Sequence, residues 1–371
     1  MAGIARGYRF EVEEVPLSKR YAMSKQALKE IAEETLRSCS EGRYLNQEGC
    51  CVELQLARAI ETTRLYPEGE SLAKVQRRTP AAEGLLPSEE CVVSVALCST
   101  LSAAEGLVRR GLRTAVLNFA SAKNPGGGFL RGANAQEESL ARSSGLYPCL
   151  LKAEVQAYYR ENACDDSCVY TENMIMSPEV PVFRTDDGGL LGAPYLIGVL
   201  TAPAPNMGVA ADRRSSGGAE QIRAVRRQRM ARLLHVLAAE DFEAVVLGAW
   251  GCGVFRNDPW EVAQEFRELL GNNSNNNSNN NSHLARAFRH IVFAVIDEPT
   301  HSIFQRVLCQ PASGDAAGIS ADFPSAGGGK QERGNADNFP LAGGGKKERK
   351  SRRWLKRGDE CPGNNHGDTI D

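Results

Sequence analysis

With 371 residues, 42% of them hydrophobic, the chain can form one large or two ordinary domains around a real core. Its 44 Lys and Arg against 46 Asp and Glu leave a formal net charge of −2, which excludes nucleic-acid binding driven by global charge. No stretch reaches the length of a membrane span.

The N-terminus carries charges throughout, with no apolar core of signal-peptide length, and eleven cysteines form an odd set. We therefore expect an intracellular protein, cytoplasmic or nuclear, with free thiols. Cys164 and Cys168 stand close together but lack a second pair or His partner at zinc-site spacing, and the five histidines form no HExxH cluster. No metal is expected.

Residues 1–20 show no sustained period and read as a flexible arm. From Ser24, a plausible cap, Leu28, Ala32 and Leu36 recur at helical spacing to near Cys39. A short run over 51–56 follows, and a stretch to Tyr66 ends at Pro67. Residues 68–90, rich in Glu, Pro and Gly, read as a linker or surface loop.

A βαβ rhythm then begins, the mark of an α/β fold: a strand over 92–97, a helix over 102–111, and a strand over 114–120. The last ends in Lys123-Asn124-Pro125 and opens into Gly126-Gly127-Gly128, which can be neither helix nor good strand and which permits positive φ and close approach of a ligand to main chain. Seven residues on, Gln136-Glu137-Glu138 opens a helix. Acids in a first turn complement the helix dipole and need no further role. The glycines upstream favour a ligand site, because ligands in α/β sheets sit where loops leave the carboxyl ends of strands.

Residues 150–161 read as a helix bearing Tyr158 and Tyr159, taken as packing rather than base stacking. Short strands over 174–176 and 180–183 flank Pro178. A strong central strand over 195–201 runs into Ala202-Pro203-Ala204-Pro205-Asn206, a stiff wall. A long helix over 219–239 should bury Ile222, Val225, Met230, Leu233, Leu234 and Leu237, with its arginines on a solvated face. The strand over 243–248 delivers Ala249-Trp250-Gly251-Cys252-Gly253-Val254-Phe255 to a helix over 259–270, a junction where N–H groups can point at a diphosphate. An asparagine-rich insertion, 272–282, precedes the last strand, 291–296. Beyond about residue 312 come two copies of a Phe-Pro, Gly-Gly-Gly, basic repeat. Eight basic residues lie in 346–357, a localisation, polyanion-binding or solubilising segment.

The GGG, seven residues, QEE arrangement resembles the signature of the microbial-type poly(ADP-ribose) glycohydrolases, and residues 201–206 and 248–255 resemble that family's later loops. The resemblance covers roughly 20–300. It implies a macrodomain-like three-layer α/β/α sandwich with a mixed central sheet and an N-terminal helical extension. It also implies a catalytic domain over 21–310, made of a helical region 21–90 that packs onto a core 91–310, and leaves 311–371 as a disordered tail.

The implied activity is cleavage of ribose–ribose bonds in poly(ADP-ribose), reversing ADP-ribosylation of the kind made in the DNA damage response. In it Glu138 is general acid and base, and Gln136 and Glu137 hold ribose hydroxyls. Asn124, Gly126, Gly127, Gly128, Phe129, Gly251, Cys252, Gly253 and Val254 line the substrate, with main-chain N–H groups of both glycine loops on the diphosphate. Phe255 fits either a ring over the distal ribose or a core phenylalanine. No metal or cofactor is implied, nor a membrane or sequence-specific nucleic acid. The partners are poly(ADP-ribose) or ADP-ribosylated proteins. The alternatives are a mono-ADP-ribosyl hydrolase on the same fold, or a macrodomain that binds ADP-ribose without cutting it.

Overall fold

A computed structural model describes residues 8–12, 23–70, 91–209, 218–271 and 284–309. The asparagine-rich insertion, the tail beyond 309, and most of the 68–90 and 207–217 stretches lie outside the described residues. The chain divides into units Met1–Ala316 and Ala317–Asp371, and all described residues belong to the first.

The strands are β1 (Tyr8–Val12), β2 (Arg43–Leu45), β3 (Cys51–Glu53), β4 (Arg64–Tyr66), β5 (Cys91–Ala96), β6 (Thr114–Phe119), β7 (Met174–Arg184), β8 (Leu190–Ala202), β9 (Ala244–Gly248) and β10 (His290–Ala294). The helices are α1 (Lys25–Glu41), α2 (Leu56–Thr62), α3 (Thr100–Arg109), α4 (Gln136–Ser143), α5 (Leu146–Leu150), α6 (Gln156–Ala163), α7 (Gly218–Ala239), α8 (Pro259–Leu270) and α9 (Glu298–Cys309). Eight strands make one mixed sheet in the order β1-β5-β10-β9-β6-β8-β7-β4. The six from β1 to β8 run parallel; β7 is antiparallel to β8, and β4 to β7.

Side chains alternate across a strand, so one buried strand feeds two cores. Leu117, Val245 and Leu247 pack with Leu233, Leu237, Phe266 and Phe304 of α7, α8 and α9. Val116, Ala244 and Val246 pack on the other face with Leu101, Leu107, Leu150 and Tyr158 of α3, α5 and α6. This is the three-layer α/β/α sandwich, and its strands are apolar throughout because both faces are covered. The N-terminal helix packs onto the same body: Ala32 and Leu36 of α1 meet Phe129 and Ala141. Ser24 caps α1 by accepting from the Ala27 N–H.

Four local readings of the sequence need correction. Within the expected arm, Tyr8–Val12 forms an edge strand parallel to β5, its Phe10 packed on the core. The expected helix over 150–161 is broken at Lys152, whose backbone is extended (φ −54°, ψ 135°). The Lys152 ammonium donates to the carbonyls of Glu61 and Thr63, drawing the residue toward α2. The two short strands around Pro178 are one strand with a register shift between Ser177 and Val180, where a residue without an N–H costs no ladder bond.

The fourth correction concerns α7. Arg226 and Arg229 are fully buried rather than solvated. Arg226 lies two-pronged on Glu265, at 2.6 and 2.8 Å, and reaches Glu261 and Asn257 at 3.0 Å. Glu261 and Glu265, one turn apart on α8, thus offset the desolvation of the guanidinium and dock α7 on α8.

Candidate active site

β6 ends at the loop that holds the triple glycine, and α4 returns its first turn to that strand end. Gln136 makes the splice. Its side-chain oxygen accepts from the Phe119 N–H at 2.8 Å, and its amide donates to Leu117 O at 2.8 Å and Thr100 Oγ1 at 3.2 Å. The amide therefore extends the β6 ladder.

Glu137, at 4% exposure, is set into the floor beside it. Its oxygens accept from Asn118 Nδ2 at 3.4 Å and from the Ser121 N–H at 2.7 Å. Burial pushes its pKa up to about 8, and the neighbouring Glu138 adds to the rise; the Ser121, Asn118 and Gly126 donors oppose it. At neutral pH Glu137 is chiefly a neutral acid.

Glu138 takes the next position and turns back on the glycines. Oε1 accepts from the Gly128 N–H at 2.8 Å and Oε2 from the Ala135 N–H at 2.9 Å. The second bond is the acid half of a capping box, made where the N-cap, Ala135, has no side-chain acceptor of its own. The first binds the glycine loop to the helix. Gly127 has φ +62°, and a Cβ there would stand 2.3 Å from Glu138 Oε1 and 2.9 Å from Glu137 Oε2. Only glycine leaves room for both carboxylates.

Two N–H groups of the triple glycine are thus used within the loop and its helix. The Gly128 N–H serves Glu138, and the Gly127 N–H donates to Asn124 O at 3.0 Å. The first of these bonds fixes one of the two acids and the second closes the turn of the loop. Phe129 is core as well, 1% exposed and edge-on to Tyr147 at 4.8 Å. Asn124 is exposed at the rim.

The second loop leaves β9, the parallel neighbour of β6. Trp250 anchors it, fully buried, with its indole N–H on Ala202 O at 3.1 Å. Asn257 closes it from the other end, donating to Pro205 O at 2.9 Å and Gly251 O at 3.1 Å. Gly251 lies at φ +76°, and a Cβ there would meet Asn257 and Ala204 at 2.6 Å. Among the described residues the N–H groups of Gly251, Gly253, Val254 and Phe255 have no intramolecular acceptor. Free donors on a loop leading into the Asp258-capped N-terminus of α8 suit an anion.

Cys252 is half-buried, its thiol pushed up to about 12 by burial, so it stays protonated. Val254 is 83% exposed at the tip. Phe255 packs against the core, and its ring lies 6.0 Å from that of Tyr170, tilted by 43°.

Tyr170 was not foreseen from the sequence. It sits at φ +64°, two residues after Cys168 at φ +58°. Asp165 accepts from the N–H of Ser167 and of Tyr170 at 2.8 and 2.7 Å, and buried Arg229 donates to the carbonyls of Val169, Tyr170 and Pro203 at 2.8–3.1 Å. Asn118 was missed too, although an asparagine inside the apolar run Thr114–Ala120 was a visible signal; it is fully buried and donates to both Glu137 and Thr201 Oγ1.

Comparison with known proteins identifies the family. Residues 32–185 match the family described as microbial-type PARG, catalytic domain. The chain is 40% identical to the poly(ADP-ribose) glycohydrolase of Thermomonospora curvata, with a TM-score of 0.66, covering 76% of this chain and 99% of that one. The same enzyme bound to the inhibitor ADP-HPD aligns with a TM-score of 0.64. The poly(ADP-ribose) glycohydrolase of Deinococcus radiodurans in complex with ADP-ribose is 43% identical, with a TM-score of 0.60 over 68% of this chain and 97% of that chain. No curated protein matches. The GGG and QEE segments fall within the matched residues, and on these findings the chain belongs to the microbial-type poly(ADP-ribose) glycohydrolase family.

Proposed function

We propose that this chain hydrolyses the ribose–ribose O-glycosidic bonds of poly(ADP-ribose) and releases ADP-ribose, with Glu138 as general acid and then base. The observation that carries it is the carboxylate corner: two glutamates in one first turn, Glu138 held by the Gly128 N–H of the triple glycine and Glu137 by the Ser121 N–H, at the end of a strand whose neighbour delivers a loop of free N–H donors.

Each Glu138 oxygen accepts one N–H bond, which leaves a lone pair to carry a proton. In the first half-reaction the C1″–O2′ bond breaks, and the Glu138 proton goes to the departing 2′-oxygen as positive charge builds on the ribose ring. In the second, water adds to C1″ and returns a proton to the Glu138 carboxylate. Glu137, neutral at pH 7, can donate to a ribose oxygen without adding a second negative charge beside the ligand. The free N–H groups of Gly251, Gly253, Val254 and Phe255 would take the diphosphate, with the Phe255 and Tyr170 rings beside it.

The ten described cysteines form no disulfide with one another, which suits a reducing, intracellular compartment. No described helix is long and apolar enough to cross a membrane. The basic segment 346–357 would add contact to the polyanion.

Product chain length tests the substrate class. Incubated with automodified poly(ADP-ribose) polymerase, the chain should release monomeric ADP-ribose from the polymer and leave the protein-linked unit in place. Release of that last unit with the polymer uncut would assign it to mono-ADP-ribosyl linkages instead.

A further inference from the structure

Arg142 is a buried charge that the catalytic scheme leaves unused. It lies one helical turn beyond Glu138 on α4, on the same face, and is 4% exposed. A buried guanidinium costs several kcal/mol unless it is well bonded, yet its partners are neutral: Nη1 donates to Ala133 O and Nη2 to Asn134 Oδ1, both at 2.6 Å. Burial pulls its pKa down, and the charges of Glu138 and Asp186 pull it back up.

Those two bonds close a ring around the catalytic carboxylate. Ala133 and Asn134 lead directly to Ala135, whose N–H is on Glu138 Oε2. The Ala133 N–H donates to Gly128 O at 3.2 Å, and the Gly128 N–H is on Glu138 Oε1. From the far side Thr35 of α1 fixes the arginine itself, donating to Arg142 O at 2.6 Å while accepting from Arg184 Nε at 3.0 Å. The charged groups at this corner are Glu137 and Arg142 on α4, Asp186 of the β7–β8 hairpin, Lys25 and Glu34 of α1, and Arg184 of β7.

We propose that Arg142 is a positioning residue for Glu138: it clamps residues 133–135 so that both N–H donors stay on the carboxylate, and it holds a fixed positive charge on that face of α4. A cation that merely complemented the helix C-terminus would need no two-pronged grip on the loop ahead of the N-terminus. This role rests on Glu138 acting as the acid.

The test uses the full chain and the variants Arg142→Met, Arg142→Lys and Asn134→Ala, with kcat, KM and the pH profile of kcat measured on poly(ADP-ribose). For Arg142→Met, kcat should fall about tenfold or more with KM within about threefold, the pattern of a misplaced catalytic group. The alkaline limb of its kcat profile should move to higher pH, because removing a positive charge beside the site favours the protonated acid. Arg142→Lys keeps the charge but loses the rigid planar fork that spans Ala133 O and Asn134 Oδ1, so kcat should fall while the limb stays. Asn134→Ala should lower kcat only a few-fold with the limb in place.

Wild-type kcat in Arg142→Met, or a loss of kcat with an unmoved limb in protein that is folded by circular dichroism, overturns the proposal. If Arg142→Met does not fold, Arg142→Lys decides alone: lowered kcat at wild-type Tm supports the clamp, and unchanged kcat overturns it. Wild-type activity in Glu138→Gln would instead remove the catalytic scheme itself, whatever Arg142 does.

Discussion

The replacement of Gly127 by alanine tests the carboxylate corner through a single added methyl group. The Cβ would stand 2.3 Å from Glu138 Oε1 and 2.9 Å from Glu137 Oε2, where ordinary contact begins at 3.4 Å, so the Glu138 oxygen must retreat by about 1 Å. Three costs follow. An alanine at φ +62° carries about 1–2 kcal/mol of backbone strain. Retreat stretches the charge-assisted bond from Gly128, worth roughly 1.5–3 kcal/mol. A displacement of about 1 Å at a reacting group lowers kcat on the order of a hundredfold. We therefore expect Gly127→Ala to lose about 3–5 kcal/mol of stability by denaturant unfolding, and about two orders of magnitude in kcat on poly(ADP-ribose) at temperatures where it remains folded. The control is Gly106→Ala, in the exposed interior of α3 with nothing within 4 Å of the new Cβ; it should gain about 0.5–1 kcal/mol and leave kcat unchanged. If Gly127→Ala turns over within twofold of wild type, the fixed geometry of the two glutamates is not what the reaction requires.

Glu137 makes stability depend on pH. Its pKa is raised from 4.5 to about 8, so across that interval the folded state holds a proton that the unfolded state has released, and stability falls as pH rises. The full interval corresponds to roughly 5 kcal/mol as an upper bound. Glu137→Gln escapes this loss, so its Tm relative to wild type should climb by several degrees between pH 5 and pH 9 in calorimetry. A difference that stays flat with pH would show that Glu137 is not held protonated by burial. At the second loop, Tyr170→Ala and Phe255→Ala should each raise KM several-fold with little change in kcat, as expected for rings that hold ligand without joining the chemistry. A fall in kcat at constant KM would give the pair a different role.

Much of this architecture is written in local pattern. Buried parallel strands read as continuous apolar runs, so β5, β6, β9 and β10 were recognisable within a residue or two, as was α1 from its Ser24 cap. The chemistry of the site was half legible. The spacing from Gly126 to Glu138 located the acids, but the direction in which the glycine N–H groups point depends on φ at Gly126 and Gly127 and on the return of α4, neither of which the spacing records. The same limit applies to Gln136 and Phe129: a residue beside a glycine loop faces ligand or scaffold according to how its element docks. Arg226 and Arg229 show the limit of amphipathic reasoning. A wide polar face is solvated only if no partner arrives, and here α8 brings Glu261 and Glu265 while the Cys168–Tyr170 turn brings bare carbonyls. Lys152 broke a helix through its bonds to α2, a tertiary effect that overrides propensity.

The central claim is that Glu138 carries the proton, and the rate of ADP-ribose release by Glu138→Gln tests it most directly. The substitution keeps the shape of the side chain and an oxygen for one N–H while removing the acid. The account predicts a fall in kcat on poly(ADP-ribose) of about 10²–10⁴-fold, the contribution of a positioned general acid, with ADP-ribose affinity held within a few-fold by titration calorimetry. Release of monomeric ADP-ribose by Glu138→Gln at the wild-type rate would contradict it.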